Sequence, residues 1–104
     1  MYLCQWSLDI KFGKQKQALN VIKAWGEEKM KSSGFAKAKN CRVYAGHVGE
    51  SAAHIVDEYV FESLKDFEDA LGGMSQSQFK SFAEELAKYI IDGSQKWTIH
   101  RIVV

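Results

Sequence analysis

From Tyr2 to Phe12 the chain reads YLCQWSLDIKF, which sets Tyr2, Cys4, Trp6, Leu8, Ile10 and Phe12 on one side of an extended strand. Gln5, Ser7, Asp9 and Lys11 fall on the other. A helix would scatter that apolar set around its whole circumference, so the segment is a strand with one covered face. Such a strand needs partners to pair with and a layer to cover its apolar side.

Both can be read further along the chain. After Gly13, the stretch KQKQALNVIKAWGEEKMK places Ala18, Leu19, Ile22, Trp25 and Met30 at helical spacing, with lysines and glutamates on the opposite side, and Gly34 closes the helix. CRVYAGHVG and HIVDEYVF, residues 41–49 and 54–61, follow as two strands joined by a hairpin at ESAA. Ser63 and Asp66 form a helix-start pair, and Leu64, Phe67 and Leu71 supply the buried stripe of a short helix that Gly72 and Gly73 break. The Ser75 and Gln78 pair repeats the capping pattern. Phe79, Phe82, Ala83, Leu86 and Ile90 then make a clean amphipathic face that ends at Asp92 and Gly93. KWTIHRIVV, rich in β-branched residues, is the last strand.

The order β-α-β-β-α-β predicts an α+β, ferredoxin-like βαββαβ fold. Its helices cover one face of a four-stranded antiparallel sheet with spatial strand order 4-1-3-2. Cys4 and Cys41 then lie on strands separated by a third, roughly 9–10 Å apart. Disulfide Cα separations rarely exceed about 7 Å, so no bond is expected between them.

With 104 residues, 46% hydrophobic and 26% charged, the chain is expected to form one domain over residues 1–104. A domain of that size has a small core, and covering one more apolar face by homodimerisation would add to it. The net charge of +1 argues against nucleic acid, whose binders carry a strongly basic face. The run Lys29, Lys31, Lys37, Lys39 and Arg42 reads as a solvated surface facing an acidic region from Glu50 to Asp69. Apolar runs fall far short of the roughly 20 residues that span a bilayer, and the start of the chain lacks a signal-peptide layout, so a cytoplasmic location is expected. The two cysteines have no metal-ligand spacing and are expected as buried thiols. Gly72-Gly73 lacks a phosphate-loop context, and no flavin or nicotinamide fingerprint is present, so no cofactor is expected.

Four stretches carry a resemblance: FGKQKQAL entering the first helix, YVFESLKDFEDAL from the third strand into the second helix, SQFKSFAEELAKYI, and WTIHRIV at the end. Together they resemble the dimeric α+β barrel superfamily, which includes antibiotic-biosynthesis-type monooxygenases and NIPSNAP-like proteins. The resemblance implies two sheets meeting across a twofold axis, with ligands held between sheet and helices. It contains no catalytic signature. Haem-degrading members use a histidine on the second helical segment, and residues 64–91 contain none, so haem is disfavoured as a substrate.

In HIVDEYVF, Ile55, Asp57, Tyr59 and Phe61 share one face, and His54, Val56, Glu58 and Val60 the other. The more aromatic set is expected to face the helices. Asp57 is then a carboxylate among aromatic rings, either a candidate general base or a structural partner of Arg42 or Arg101. His47 is the candidate imidazole beside it, provided the second strand turns Val43 and Ala45 inward. His47, His54 and His100 are all expected on strands, and their spacing matches no metal site. Trp6, Tyr59 and Trp25 are candidate ligand-binding residues as well as core. Gly26, costly inside a helix, marks close packing or room for a ligand.

Two functions are favoured by these residues, and an isomerase or lyase on the same scaffold is also compatible with them. One is a homodimeric binding protein for a small hydrophobic or aromatic molecule, fatty-acid-like or polyketide-like. The other, implied by the monooxygenase resemblance, is a cofactor-independent oxygenase. There Asp57 deprotonates a phenolic substrate that His47 and Tyr59 orient and Trp6 stacks upon.

Overall fold

The computed structural model describes all 104 residues. In chain order the elements are β1 (Tyr2–Asp9), α1 (Gln15–Ser32), β2 (Asn40–Ala45), β3 (His54–Phe61), α2 (Leu64–Gly72), α3 (Ser77–Ala87) and β4 (Lys96–Arg101). The sheet is antiparallel throughout in the order β2-β3-β1-β4, the expected arrangement, and the helices cover one of its faces.

Register places the site. Across the sheet, Val43, Asp57, Trp6 and Trp97 stand in one row, and Cys41, Tyr59, Cys4 and Ile99 in the next on the same face. The helix-facing residues of β1 and β3 pack with α1 and α3 around Trp6, Leu8, Ile22, Trp25, Ile55, Phe79 and Leu86. A second cluster, Cys4, Phe35, Tyr59, Phe61, Phe67 and Ala70, lies beneath α2. Each large side chain buried in this way contributes about 1.5–3 kcal/mol.

Several local expectations need correction. The buried stripe of α1 is Ala18, Ile22, Trp25 and Lys29, whereas Leu19 lies exposed at the surface. In α2 the covered residues are Phe67 and Ala70, and Leu64 and Leu71 are exposed. Ser63 caps α2 as its spacing predicted, its Oγ accepting from the Asp66 N–H at 3.1 Å. Ser75 does not cap α3: its hydroxyl bonds back to the Gly72 carbonyl, and Gln76 precedes the helix without a side-chain cap. Strand β2 stops at Ala45: the Gly46 N–H makes a last bond to the His54 carbonyl at 2.9 Å, and the Ser51 carbonyl packs where a Gly46 side chain would stand. Cys41 is exposed on this edge strand rather than buried, while Cys4 is fully enclosed; both are free thiols.

α1 ends at Ser32 and is closed by Ser33 rather than by Gly34. The Ser33 hydroxyl bonds the Lys29 carbonyl at 2.7 Å and accepts from the Phe35 N–H at 3.1 Å, which turns the chain into a 3-10 turn over Gly34–Lys37. Gly34 is required there for space, since a Cβ would come within 2.9 Å of the Ala70 backbone. The turn drives Phe35 under the sheet beside Tyr59, their ring centroids 4.6 Å apart.

Candidate functional site

The two buried carboxylates of β3 point to opposite faces and have different surroundings. Glu58, on the face away from the helices, accepts from Arg42 Nε at 2.6 Å, Tyr44 Oη at 2.8 Å and Gln5 Nε2 at 3.1 Å. Burial alone would raise its carboxyl, but these three hydrogen bonds outweigh that and hold it below its ordinary value.

Asp57 faces the helices, as alternation predicted, but neither expected arginine reaches it. Arg42 stands directly opposite Glu58 and shares that residue's face, and Arg101 is two rows away on the far edge strand. The partner is Lys29 of α1, whose Nζ donates to Asp57 Oδ2 at 3.2 Å, and the Tyr59 hydroxyl donates to the same oxygen at 2.9 Å. Both charged side chains are less than a tenth exposed.

Lys29 is the residue of this candidate site that sequence reasoning missed, since the basic run was expected to lie in solvent. Its signal was present: Ala18, Ile22, Trp25 and Lys29 follow one another at four- and three-residue steps on a single helical stripe. The Lys29 ammonium lies 5.1 Å from the ring centroids of Trp25, Phe35 and Tyr59 and 5.9 Å from that of Trp6. Such contacts contribute about 2 kcal/mol or more when desolvated. Even so, desolvation lowers the Lys29 pKa, and the opposing attraction of Asp57 does not cancel it. Burial, together with the adjacent Asp57 charge, raises that of Tyr59.

The ion pair forms part of the walls of two recesses. Inside, a cavity of about 150 Å³ is bounded by Trp6, Trp25, Lys29, Phe35 and Trp97, with Leu71, Met74 and Gln95 at its edge. Trp6 meets Trp25 edge-on at 5.8 Å and stacks on Trp97 at 6.3 Å. The Trp25 indole N–H is buried and bonded to nothing. Outside, a groove of about 420 Å³ between α1 and β2 is lined by Gly26, Met30, Cys41, Val43, Asp57 and Tyr59. No atom lies within 4 Å of where a Gly26 side chain would begin, so this glycine leaves room rather than permitting close packing.

Trp6, Trp25, Asp57 and Tyr59 are therefore brought together, with Gly26 on the outer side of the pair. His47 is not. It lies exposed beyond the end of β2, four residues past the Val43 that pairs with Asp57, which is about 13 Å along an extended chain. His54 bonds Asp9 at 2.8 Å, and His100 is exposed on β4. No three His, Cys, Asp or Glu side chains converge closely enough to hold a metal, and no helix is long and apolar enough to cross a membrane.

The sequence matches no protein-family model, and no curated protein matches it either. Solved structures do match over nearly the whole chain. A NIPSNAP family protein from Agrobacterium tumefaciens superposes with a TM-score of 0.77 at 16% identity, covering 98% of this chain and 92% of its own. A NIPSNAP domain protein from Burkholderia xenovorans gives 0.76 at 13% identity, with 99% and 95% covered. A candidate antibiotic biosynthesis monooxygenase from Nitrosomonas europaea gives 0.75 at 12% identity, with both chains covered completely. The chain thus has the ferredoxin-like α+β fold that NIPSNAP proteins and antibiotic biosynthesis monooxygenase-like proteins share.

Proposed function

We propose that the protein is a homodimeric small-molecule-binding protein whose cavity between sheet and helices takes a small hydrophobic or aromatic ligand. The observation that carries this reading is the cavity wall: all three tryptophans of the chain, with Phe35, surround one space that contains a single buried ammonium. Its volume of about 150 Å³ matches that of apolar protein cavities known to admit a benzene-sized molecule. Most binding sites are built this way, from apolar walls and a few placed polar groups.

The open sheet face supports self-association. Leu3, Val56 and Val60 are half-buried there, and the Arg42–Glu58–Tyr44–Gln5 cluster pairs its charges and satisfies the Glu58 carboxylate. Such a cluster can enter an interface without leaving an uncompensated charge behind.

The oxygenase reading asks Asp57 to be a base free to take a proton from the substrate. Here Asp57 Oδ2 receives both Lys29 and Tyr59, and His47 is too distant to assist, which supports a carboxylate that works with Lys29 rather than one free to deprotonate a phenol directly. Native mass spectrometry of the purified protein, followed by denaturing release of anything bound, tests the binding reading. A dimer carrying a discrete apolar compound is expected, and a ligand-free monomer would overturn it. Oxygen uptake with a phenolic panel, abolished by Asp57→Asn, would favour the oxygenase.

A further inference from the structure

From the position of Lys29 in the cavity wall, we infer that the site captures small aldehydes or ketones, the Lys29 amine joining the carbonyl carbon as a reversible imine. The inference deepens the binding proposal and rests on it, because the carbonyl compound must first enter the cavity.

The geometry supplies the parts such a reaction uses. Lys29 is the only amine on the cavity wall, and its one hydrogen-bond acceptor is Asp57 Oδ2 at 3.2 Å. A lysine enclosed by aromatic rings loses hydration that would stabilise its charge, the usual way a protein makes an amine nucleophilic. Its lowered pKa agrees with this. Each unit of such lowering raises the neutral-amine fraction at pH 7 about tenfold. Trp6, Trp25, Phe35 and Trp97 close around the amine and leave it as the one charged group facing the cavity. An apolar wall with a single reactive polar group suits a small carbonyl compound, whose hydrocarbon part the rings can cover. Because Asp57 already balances the Lys29 charge, a neutral carbonyl compound suits the site better than a carboxylate, which would bring in an uncompensated negative charge.

The chemistry balances with no oxidant or reductant. One ammonium proton passes from Nζ to Asp57, and the freed nitrogen lone pair forms a bond to the carbonyl carbon. The carbonyl π pair moves to oxygen, which takes a proton from nitrogen to give a carbinolamine. Asp57 returns its proton to that hydroxyl, the carbon–oxygen bond breaks, and water leaves as nitrogen forms its second bond to carbon. The net change is ammonium plus carbonyl to iminium plus water, with the Asp57 carboxylate restored.

The test uses the intact wild-type protein, with benzaldehyde as the probe and benzyl alcohol as its non-carbonyl counterpart. Quenching of tryptophan fluorescence reports entry for both, since every tryptophan lines the cavity. Cyanoborohydride with limiting benzaldehyde then fixes any imine as a stable amine, which peptide mass spectrometry locates among the lysines. The expected result is quenching by both probes with Lys29 the dominant modified residue. Benzyl alcohol should protect Lys29, and Lys29→Met should lose the modification. Quenching by both probes with label spread over surface lysines would overturn the imine and leave the binding cavity standing. Absence of quenching by either would remove both. Mapping on the wild-type chain keeps the outcome decisive even if Lys29→Met folds poorly.

Discussion

Replacing Lys29 by methionine keeps an unbranched apolar stem, one atom shorter, and removes the ammonium with its charge and its hydrogen bond to Asp57. At the Nζ–Oδ2 distance of 3.2 Å, Coulomb attraction at an effective dielectric of 20 is about 5 kcal/mol. The net value of the pair is far smaller, because burying each ion costs several kcal/mol. The direction of the Lys29 shift says that for this group desolvation exceeds the attraction. Lys29→Met should therefore be costly through what it leaves behind, a carboxylate in an aromatic enclosure with only the Tyr59 hydroxyl to hold it. Loss of one member of a buried pair costs about 3–5 kcal/mol, against a total stability of about 5–15 kcal/mol for a domain of this class. Combining Lys29→Met with Asp57→Asn removes the stranded charge, and the double variant should recover about 2 kcal/mol or more relative to Lys29→Met. Urea unfolding followed by tryptophan fluorescence measures wild type, Lys29→Met, Asp57→Asn and the double variant, at one fixed protein concentration because association would add to stability. If Lys29→Met lies within about 0.5 kcal/mol of wild type, the pair behaves as a solvated surface pair and the enclosed site described above is wrong.

Glu58 gives a pH prediction. Its carboxyl is held below the ordinary value of 4.5, so its contribution is complete above that value and is lost as pH falls through its folded pKa. Glu58→Gln should cost up to about 1 kcal/mol at pH 7, the pair's Arg42 being two-thirds exposed. The gap from wild type should narrow progressively in acid unfolding titrations carried below pH 4.5, and a gap that does not narrow as the pH is lowered would contradict the hydrogen-bond assignment. Gly34→Ala would push a methyl against the Ala70 backbone, which cannot swing aside as a side chain can. About 1–3 kcal/mol of destabilisation is expected, read as a thermal midpoint lowered by several degrees, and an unchanged midpoint would mean that the 3-10 turn and α2 are less closely packed than described.

The sheet was legible because its signals are local and redundant. Alternation in β1 and β3 fixes which residues face the helices, and once the order β-α-β-β-α-β is recognised the neighbours of each strand follow. The face of Asp57 and its company of Trp6 and Tyr59 could be read in this way. What failed were features set by single contacts. CRVYAGHVG reads as extended through His47, but the last bond to β3 is made by Gly46, and the close packing of Ser51 there turns the chain away before His47. Capping of α3 was expected from Ser75 and Gln78, whereas the Ser75 hydroxyl found a nearer acceptor in the turn before the helix.

Lys29 shows a different kind of failure, one of chemistry rather than geometry. Its position on the apolar stripe was visible, yet an unpaired lysine at such a position would be expelled to solvent, so its type outweighed its spacing. Burial becomes tolerable only with Asp57 opposite and aromatic faces around the ammonium, and both come from segments distant in sequence. Neither carboxylate nor lysine is explained alone, whereas together with Tyr59 they form one polar unit at the seam of the two hydrophobic clusters: Trp6 and Trp25 belong to one cluster, Phe35 and Tyr59 to the other. A fold that needed only stability could fill that seam with leucines at equal or lower cost. Stability alone therefore does not account for the polar unit beside the aromatic cavity, whereas the proposed ligand would.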